Sequence, residues 1–115
     1  MTGRVSVAET SAYLKWAEGK LSEAEREHIV DILSDNPELG VVIKGSGGLR
    51  KVRIAMPGRG KRGGGRIVYW FYTRNFPVVL LFAFAKNEQS DLSAADLKVL
   101  KAVTDNLFKD FGGLQ

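Results

Sequence analysis

No cysteine occurs anywhere in this sequence, and His28 is its only histidine. Without thiols there is neither a disulfide framework nor a thiolate metal site. A lone imidazole excludes catalysis by a histidine pair. Its place between Glu25, Glu27 and Asp31 marks it as a surface or half-buried helix residue. Ser46 has no histidine placed to serve it in a triad. Hard-cation chemistry needs clustered carboxylates, and the middle of the chain has none: from Leu39 to Asn87 there is no Asp or Glu at all. Hydrophobic runs are short as well. The longest, Phe76 to Ala85, falls well below the roughly 20 residues that span a bilayer, and residues 1–9 lack the apolar core of a secretory signal. These absences lead us to expect a cytoplasmic protein with no membrane segment, no metal and no cofactor.

What fills the acid-free stretch is positive charge. Its 49 residues carry ten of the 17 basic residues: Lys44, Arg50, Lys51, Arg53, Arg59, Lys61, Arg62, Arg66, Arg74 and Lys86. The remainder of the chain holds seven basic residues against all 13 acidic ones. The formal net charge of +4 therefore hides a basic half and an acidic half, and such a split points to a polyanionic partner on the basic side. The basic residues sit in strand-like sequence, which disfavours a membrane-surface helix.

The length of 115 residues fits one domain, residues 1–115, with no repeat and no linker. Arg4 to Ala8 alternates as a short first strand does. Thr10 or Ser11 caps a helix to about Glu18, with Ala12, Tyr13, Trp16 and Ala17 as its buried stripe. Ser22 and Glu25 form a capping box for a second helix that buries Leu21, Ile29, Ile32 and Leu33 and stops at Asn36-Pro37. Gly40 to Ile43 is a short extended run, followed by the turn 45–48. Leu49 to Met56 alternates, with Arg50, Val52, Ile54 and Met56 on one face and Lys51, Arg53 and Ala55 on the other. Residues 57–64 read as a long Gly- and Arg/Lys-rich loop. Gly65 to Thr73 and Val78 to Lys86 are strands, apolar on both faces and so covered on both. Ser93 caps a last helix with Leu97, Leu100, Val103, Leu107, Phe108 and Phe111 at helical spacing. The expected fold class is α+β: an N-terminal helical hairpin packed on an antiparallel meander, with a C-terminal helix.

The glycines of the loop, Gly58, Gly60, Gly63, Gly64 and Gly65, allow close approach to a phosphate, with Arg59, Lys61 and Arg62 beside them. The loop lacks the G-K-[ST] ending and the following helix of a P-loop. Lys51 and Arg53 project from one strand face, Arg66 opens the neighbouring strand and Lys86 closes the next. Four cations can thus converge at one end of a sheet. RNA is cleaved without metal when its own 2′-OH attacks the adjacent phosphorus, given a base, charge stabilisation and help for the leaving oxygen. Crowded cations suit Lys51 or Lys86 to the base, and an arginine, always protonated, to stabilisation. The alternative is that all four only grip phosphates. Asp91 and Glu88 read as charges at the N-terminus of the last helix.

The run GGLRKVRIAMPGRGKRGGGRIVYW and the later FAKNEQSDLS resemble the RelE/HigB branch of the bacterial type II toxin–antitoxin toxins, over about Asn36 to Val103. The resemblance implies the α+β fold above, a ribosome-dependent endoribonuclease acting on mRNA, and a cognate antitoxin, one form of which carries a helix-turn-helix DNA-binding domain. It matches Lys51 and Arg53 to paired basic positions, Arg66 to a phosphate-stabilising arginine and Lys86 to the basic position closing the last strand. Arg50, Arg59, Lys61, Arg62 and Tyr72 are the expected RNA contacts. The chain departs from RelE at Asn87, where an arginine is expected, and at Ser93, where a tyrosine is expected. The acid and base therefore stay open among Lys51, Lys86 and Tyr72. Two further readings share these residues: a ParE-like toxin that binds gyrase, and a non-catalytic nucleic-acid-binding module.

Overall fold

The computed structural model describes residues 3–56, 60–107 and 109–110, with the backbone alone for residues 60–63. Eight elements follow one another: β1 (Val7–Glu9), α1 (Ser11–Ala17), α2 (Glu23–Asp35), β2 (Val41–Val42), β3 (Leu49–Met56), β4 (Gly60–Trp70), β5 (Val78–Ala85) and α3 (Ala94–Leu107). The strands form one sheet in the order β1-β5-β4-β3-β2. Strands β2 to β5 are antiparallel, as a meander requires. β1 instead runs parallel to β5, pairing Val7 with Val78 and Glu9 with Leu80, so the sheet is mixed.

Local chemistry sets the helix ends. The Thr10 hydroxyl accepts from the Tyr13 N–H at 3.3 Å. The Ser22 hydroxyl accepts from the Glu25 N–H at 3.1 Å, and Glu25 returns the bond to the Ser22 N–H at 2.7 Å, the reciprocal pairing of a capping box. Ser93 and Asp96 do the same for α3, each at 3.0 Å. Gly45, Gly47 and Gly48 all have positive φ, which glycine adopts without steric cost, and Ser46 staples their turn by donating to the Ile43 carbonyl and accepting from the Leu49 N–H.

Helices cover the sheet on both faces. Tyr13, Ala17, Leu21, Ile29 and Leu33 of the α1–α2 hairpin pack on Val52, Ile54, Met56, Ile67, Tyr69, Leu80 and Ala83. On the other face Leu100 of α3 packs with Leu49, Val68, Trp70, Val79, Leu81 and Phe84. A register shift opposite Val68 and Tyr69 brings the successive residues Leu81 and Phe82 to this same face, as a bulge does.

Several expectations about the elements change: β1 is Val7–Glu9, not Arg4 to Ala8, and β4 ends at Trp70, not Thr73. β4 begins at Gly60, not Gly65: Gly65 pairs with Ile54 and Gly60 with Met56, with an irregularity between the two pairs, and this pairing overrides a weak strand propensity. Residues 57–59 of the expected loop lie outside the described residues. The inward row of α3 runs through Leu100 and Thr104, while Val103 is exposed; the Thr104 hydroxyl fits there because it donates to the Leu100 carbonyl at 2.8 Å. Ala12 is exposed on α1. Phe108 and Phe111 lie outside the described residues.

Tyr69 ties the strands to the α2–β2 connection. Its buried hydroxyl donates to the Pro37 carbonyl and accepts from the Gly40 N–H, each at 2.8 Å. A Cβ at Gly40 would meet the Tyr69 ring at 2.8 Å, so the close approach requires glycine. Burial raises the phenol's pKa above its ordinary value, keeping it a donor. Tyr69→Phe leaves a buried N–H and a carbonyl without this partner, and is expected to cost about 1–3 kcal/mol. The check is a urea unfolding curve with a lower midpoint and an unchanged slope.

Candidate nucleic-acid interface

Alternation along β3 and β4 sorts the basic residues. Val52 and Ile54 face the helical hairpin, so Lys51 and Arg53 face the α3 side. Arg53 lies directly opposite Arg66 in the β3–β4 ladder, and Arg66 lies opposite Phe84 of β5. Lys86 follows β5, its N–H donating to the Gly64 carbonyl at 2.9 Å. Lys51, Arg53, Arg66 and Lys86 all line one groove of about 1130 Å³, joined by Ser90 and Asp91 from the segment between β5 and α3. The groove turns around the outer edge of β3. β2 covers that strand only at Arg50 and Lys51, and beyond it the far wall is α2, with Glu25, His28 and Ile32. His28 is exposed on that wall.

The environments of the four cations differ. Arg66 is only 7% exposed, and its Nη1 donates to the Gly65 carbonyl at 3.0 Å. Burial, and secondarily the charge of Arg53, draws its pKa below the ordinary arginine value. A guanidinium nonetheless stays charged at neutral pH. Arg53 is exposed. The Lys86 ammonium donates to the Ser90 carbonyl at 3.0 Å, and the Lys51 ammonium is 2.9 Å from the Asp91 carboxylate. A hydrogen bond from Lys51 is the main cause that holds the Asp91 carboxyl below its ordinary pKa, with the Leu92 N–H second and a smaller contribution from the charge of Lys86. Gly65, next to Arg66, cannot carry a larger residue freely: a Cβ there would sit 3.1 Å from the Met56 sulfur.

The other expected RNA contacts are placed differently. Arg50 points away from Lys51 and Arg53 and donates to the Gly40 carbonyl at 2.8 Å and the Glu38 carbonyl at 3.2 Å, where it holds the loop before β2. Tyr72 lies past the end of β4, stacked between Trp70 and Phe76 with centroids 6.2 and 5.8 Å away, outside the groove lining. Arg59 and the side chains of Lys61 and Arg62 lie outside the described residues. Asp91 is not the helix-end charge that its sequence position suggests, because Asp96 fills that role with Ser93. The S-x-x-D spacing of Ser93 and Asp96 is the signal that separates the two aspartates.

Strands β3 and β4 and the segment after β5 gather four cations in one groove, a face of concentrated positive charge on an α+β scaffold. A sequence profile described as the RelE toxin of the RelE/RelB toxin–antitoxin system matches residues 7–111. The chain therefore belongs to the RelE toxin family, the toxin half of a toxin–antitoxin pair, and an antitoxin is its implied partner. Its fold is similar to that of an E. coli RelE toxin mutant solved in the free state, with a TM-score of 0.53 and 14% identity over 87% of this chain and 96% of that one. No described helix is long and apolar enough to cross a membrane.

The ties of Arg50 imply a structural role. Its side chain is 19% exposed and makes charge-assisted bonds to two carbonyls, so Arg50→Ala is expected to lower stability by about 1–3 kcal/mol. An unfolding midpoint equal to that of the wild type would remove this assignment.

Proposed function

We propose that the protein is an mRNA endoribonuclease that acts on the ribosome and arrests translation until its antitoxin binds. The observation that carries this reading is the convergence of Lys51, Arg53, Arg66 and Lys86 on one groove. In the reaction, the 2′-oxygen of one nucleotide attacks the phosphorus on its 3′ side. The bond to the 5′-oxygen of the next nucleotide breaks, leaving a 2′,3′-cyclic phosphate and a 5′-hydroxyl. The 2′-OH proton goes to a base and the 5′-oxygen takes a proton from an acid. Arg66 and Arg53, opposite each other on β4 and β3, neutralise the charge that grows on the non-bridging oxygens. Lys51 and Lys86 flank them: in the proposal Lys86, as the neutral amine, takes the 2′-OH proton and the Lys51 ammonium gives a proton to the departing 5′-oxygen. Among the described residues, no group of three or more His, Asp or Glu side chains gathers as a ligand set, so the proposal assigns charge neutralisation to side chains. Arg59, Lys61 and Arg62 are proposed to hold flanking phosphates. The partners in this reading are ribosome-bound mRNA and a cognate antitoxin, with or without a helix-turn-helix domain.

The direct test is cleavage of a defined mRNA on programmed ribosomes. Arg66→Ala is expected to reduce the rate by about 10²–10³ while the circular dichroism spectrum is retained; wild-type cleavage by this variant would remove Arg66 from the site. Inhibition of gyrase supercoiling with no RNA cut would instead support the ParE-like alternative. Cleavage is also expected to survive exchange into a chelator under conditions that keep ribosomes intact, and loss of activity restored by a divalent ion would overturn the metal-free mechanism.

A further inference from the structure

Asp91 is the one acidic side chain on the cationic wall of the groove, among the described residues. Three observations set it apart. Its Oδ1 accepts from the Lys51 ammonium at 2.9 Å across 40 positions of sequence, and the same oxygen accepts from the Leu92 N–H at 2.8 Å. The backbone bond fixes the carboxylate, and the carboxylate fixes the lysine. Asp96, not Asp91, is bonded to Ser93 at the start of α3, so the helix does not account for Asp91. The pair lies at the surface, with the Asp91 side chain 62% exposed and that of Lys51 half-buried at 30%. An ion pair with one partner so open to water adds little to fold stability, whereas it does restrict where a four-carbon side chain can put its charge.

We propose that Asp91 is a positioning residue of the site, holding the Lys51 ammonium beside Arg53 and Arg66 so that it meets the scissile phosphate as a preset donor. The proposal rests on the nuclease reading above and deepens it. A flexible lysine must otherwise be ordered when the substrate binds, and that ordering enters the barrier of the chemical step. Asp91 needs no contact with the RNA for this. The carboxylate acts through Lys51 alone, which separates positioning from proton transfer.

The test compares wild type, Asp91→Asn, Lys51→Ala and the double variant on ribosomes programmed with a defined mRNA. Asp91→Asn is expected to reduce kcat by about 10-fold to 10²-fold, with KM little changed because Arg53 and Arg66 remain. It is expected to leave thermal unfolding unaltered and to have no further effect once Lys51 is absent, the non-additivity of two residues acting as a unit. Asp91→Glu is expected to recover part of the rate. A second measurement does not depend on cleavage: acetylation by acetic anhydride, read by mass spectrometry, is expected to be slower at Lys51 than at the exposed Lys44, and to rise at Lys51 only in Asp91→Asn. Equal kcat in wild type and Asp91→Asn, or unchanged Lys51 reactivity, would overturn the proposal. So would an effect of Asp91→Asn that persists in full in the Lys51→Ala background, because the carboxylate would then act without the lysine. A wild-type protein that cuts no RNA would defeat the nuclease reading, whereas cleavage indifferent to Asp91 would defeat only the inference.

Discussion

The sheet is buried from two sides, and where the second cover stops decides everything that follows. β4 and β5 are apolar on both faces, so neither face can be left to water without a large exposed patch. The α1–α2 hairpin covers one face along β3, β4 and β5. α3 and the segment before it cover the other face over Leu49, Val68, Trp70 and Phe84. Beside that apolar set the same face changes to Lys51, Arg53 and Arg66. Arg66 is the boundary residue, buried like its neighbours but ending in a charge. An arginine serves there because its stem packs as a hydrocarbon while its head reaches polar partners.

Gathering like charges at that boundary works against stability. Arg53 and Arg66 face each other across the ladder, an arrangement that is unfavourable between like charges. The groove offsets it only in part. Asp91 pairs with Lys51, and the Ser90 carbonyl takes the Lys86 ammonium, but Arg53 stays exposed. Local conflicts of this kind concentrate at functional sites, where stability is given up for binding or chemistry. The cluster is easier to explain as a seat for a polyanion than as part of the folding core.

Much of this arrangement is legible in the amino-acid sequence. The Ser22–Glu25 capping box, the limits of β3 and the shared face of Lys51 and Arg53 follow from spacings of two to four residues, and short-range rules reach that far. β1 is three residues long and joins the sheet through a parallel partner about 70 positions away, which no local pattern encodes. The glycines of β4 conceal its start, because their pairing is imposed by β3. In α3 the apolar Val103 draws attention from Thr104, yet a hydroxyl satisfied by its own helix can be buried as well as a methyl group. The role of Asp91 is hidden for a different reason: its partner is 40 residues away, and the helix that follows offers a nearer explanation.

Arg50 and Arg53 show how narrow the margin is. Both are arginines on β3, three positions apart, and an odd spacing puts them on opposite faces. One is spent on the carbonyls of Glu38 and Gly40; the other stands in the groove. Sliding β3 by one residue would exchange the faces and send Lys51 and Arg53 into the core under the helical hairpin. Outside the groove, the turn 45–48, with its three positive-φ glycines and Ser46, sets where β3 starts, and the Tyr69 hydroxyl, bridging Pro37 and Gly40, fixes the chain that leads into β2. The face on which the cations stand thus depends on a turn that never touches the site, through the point at which a strand begins.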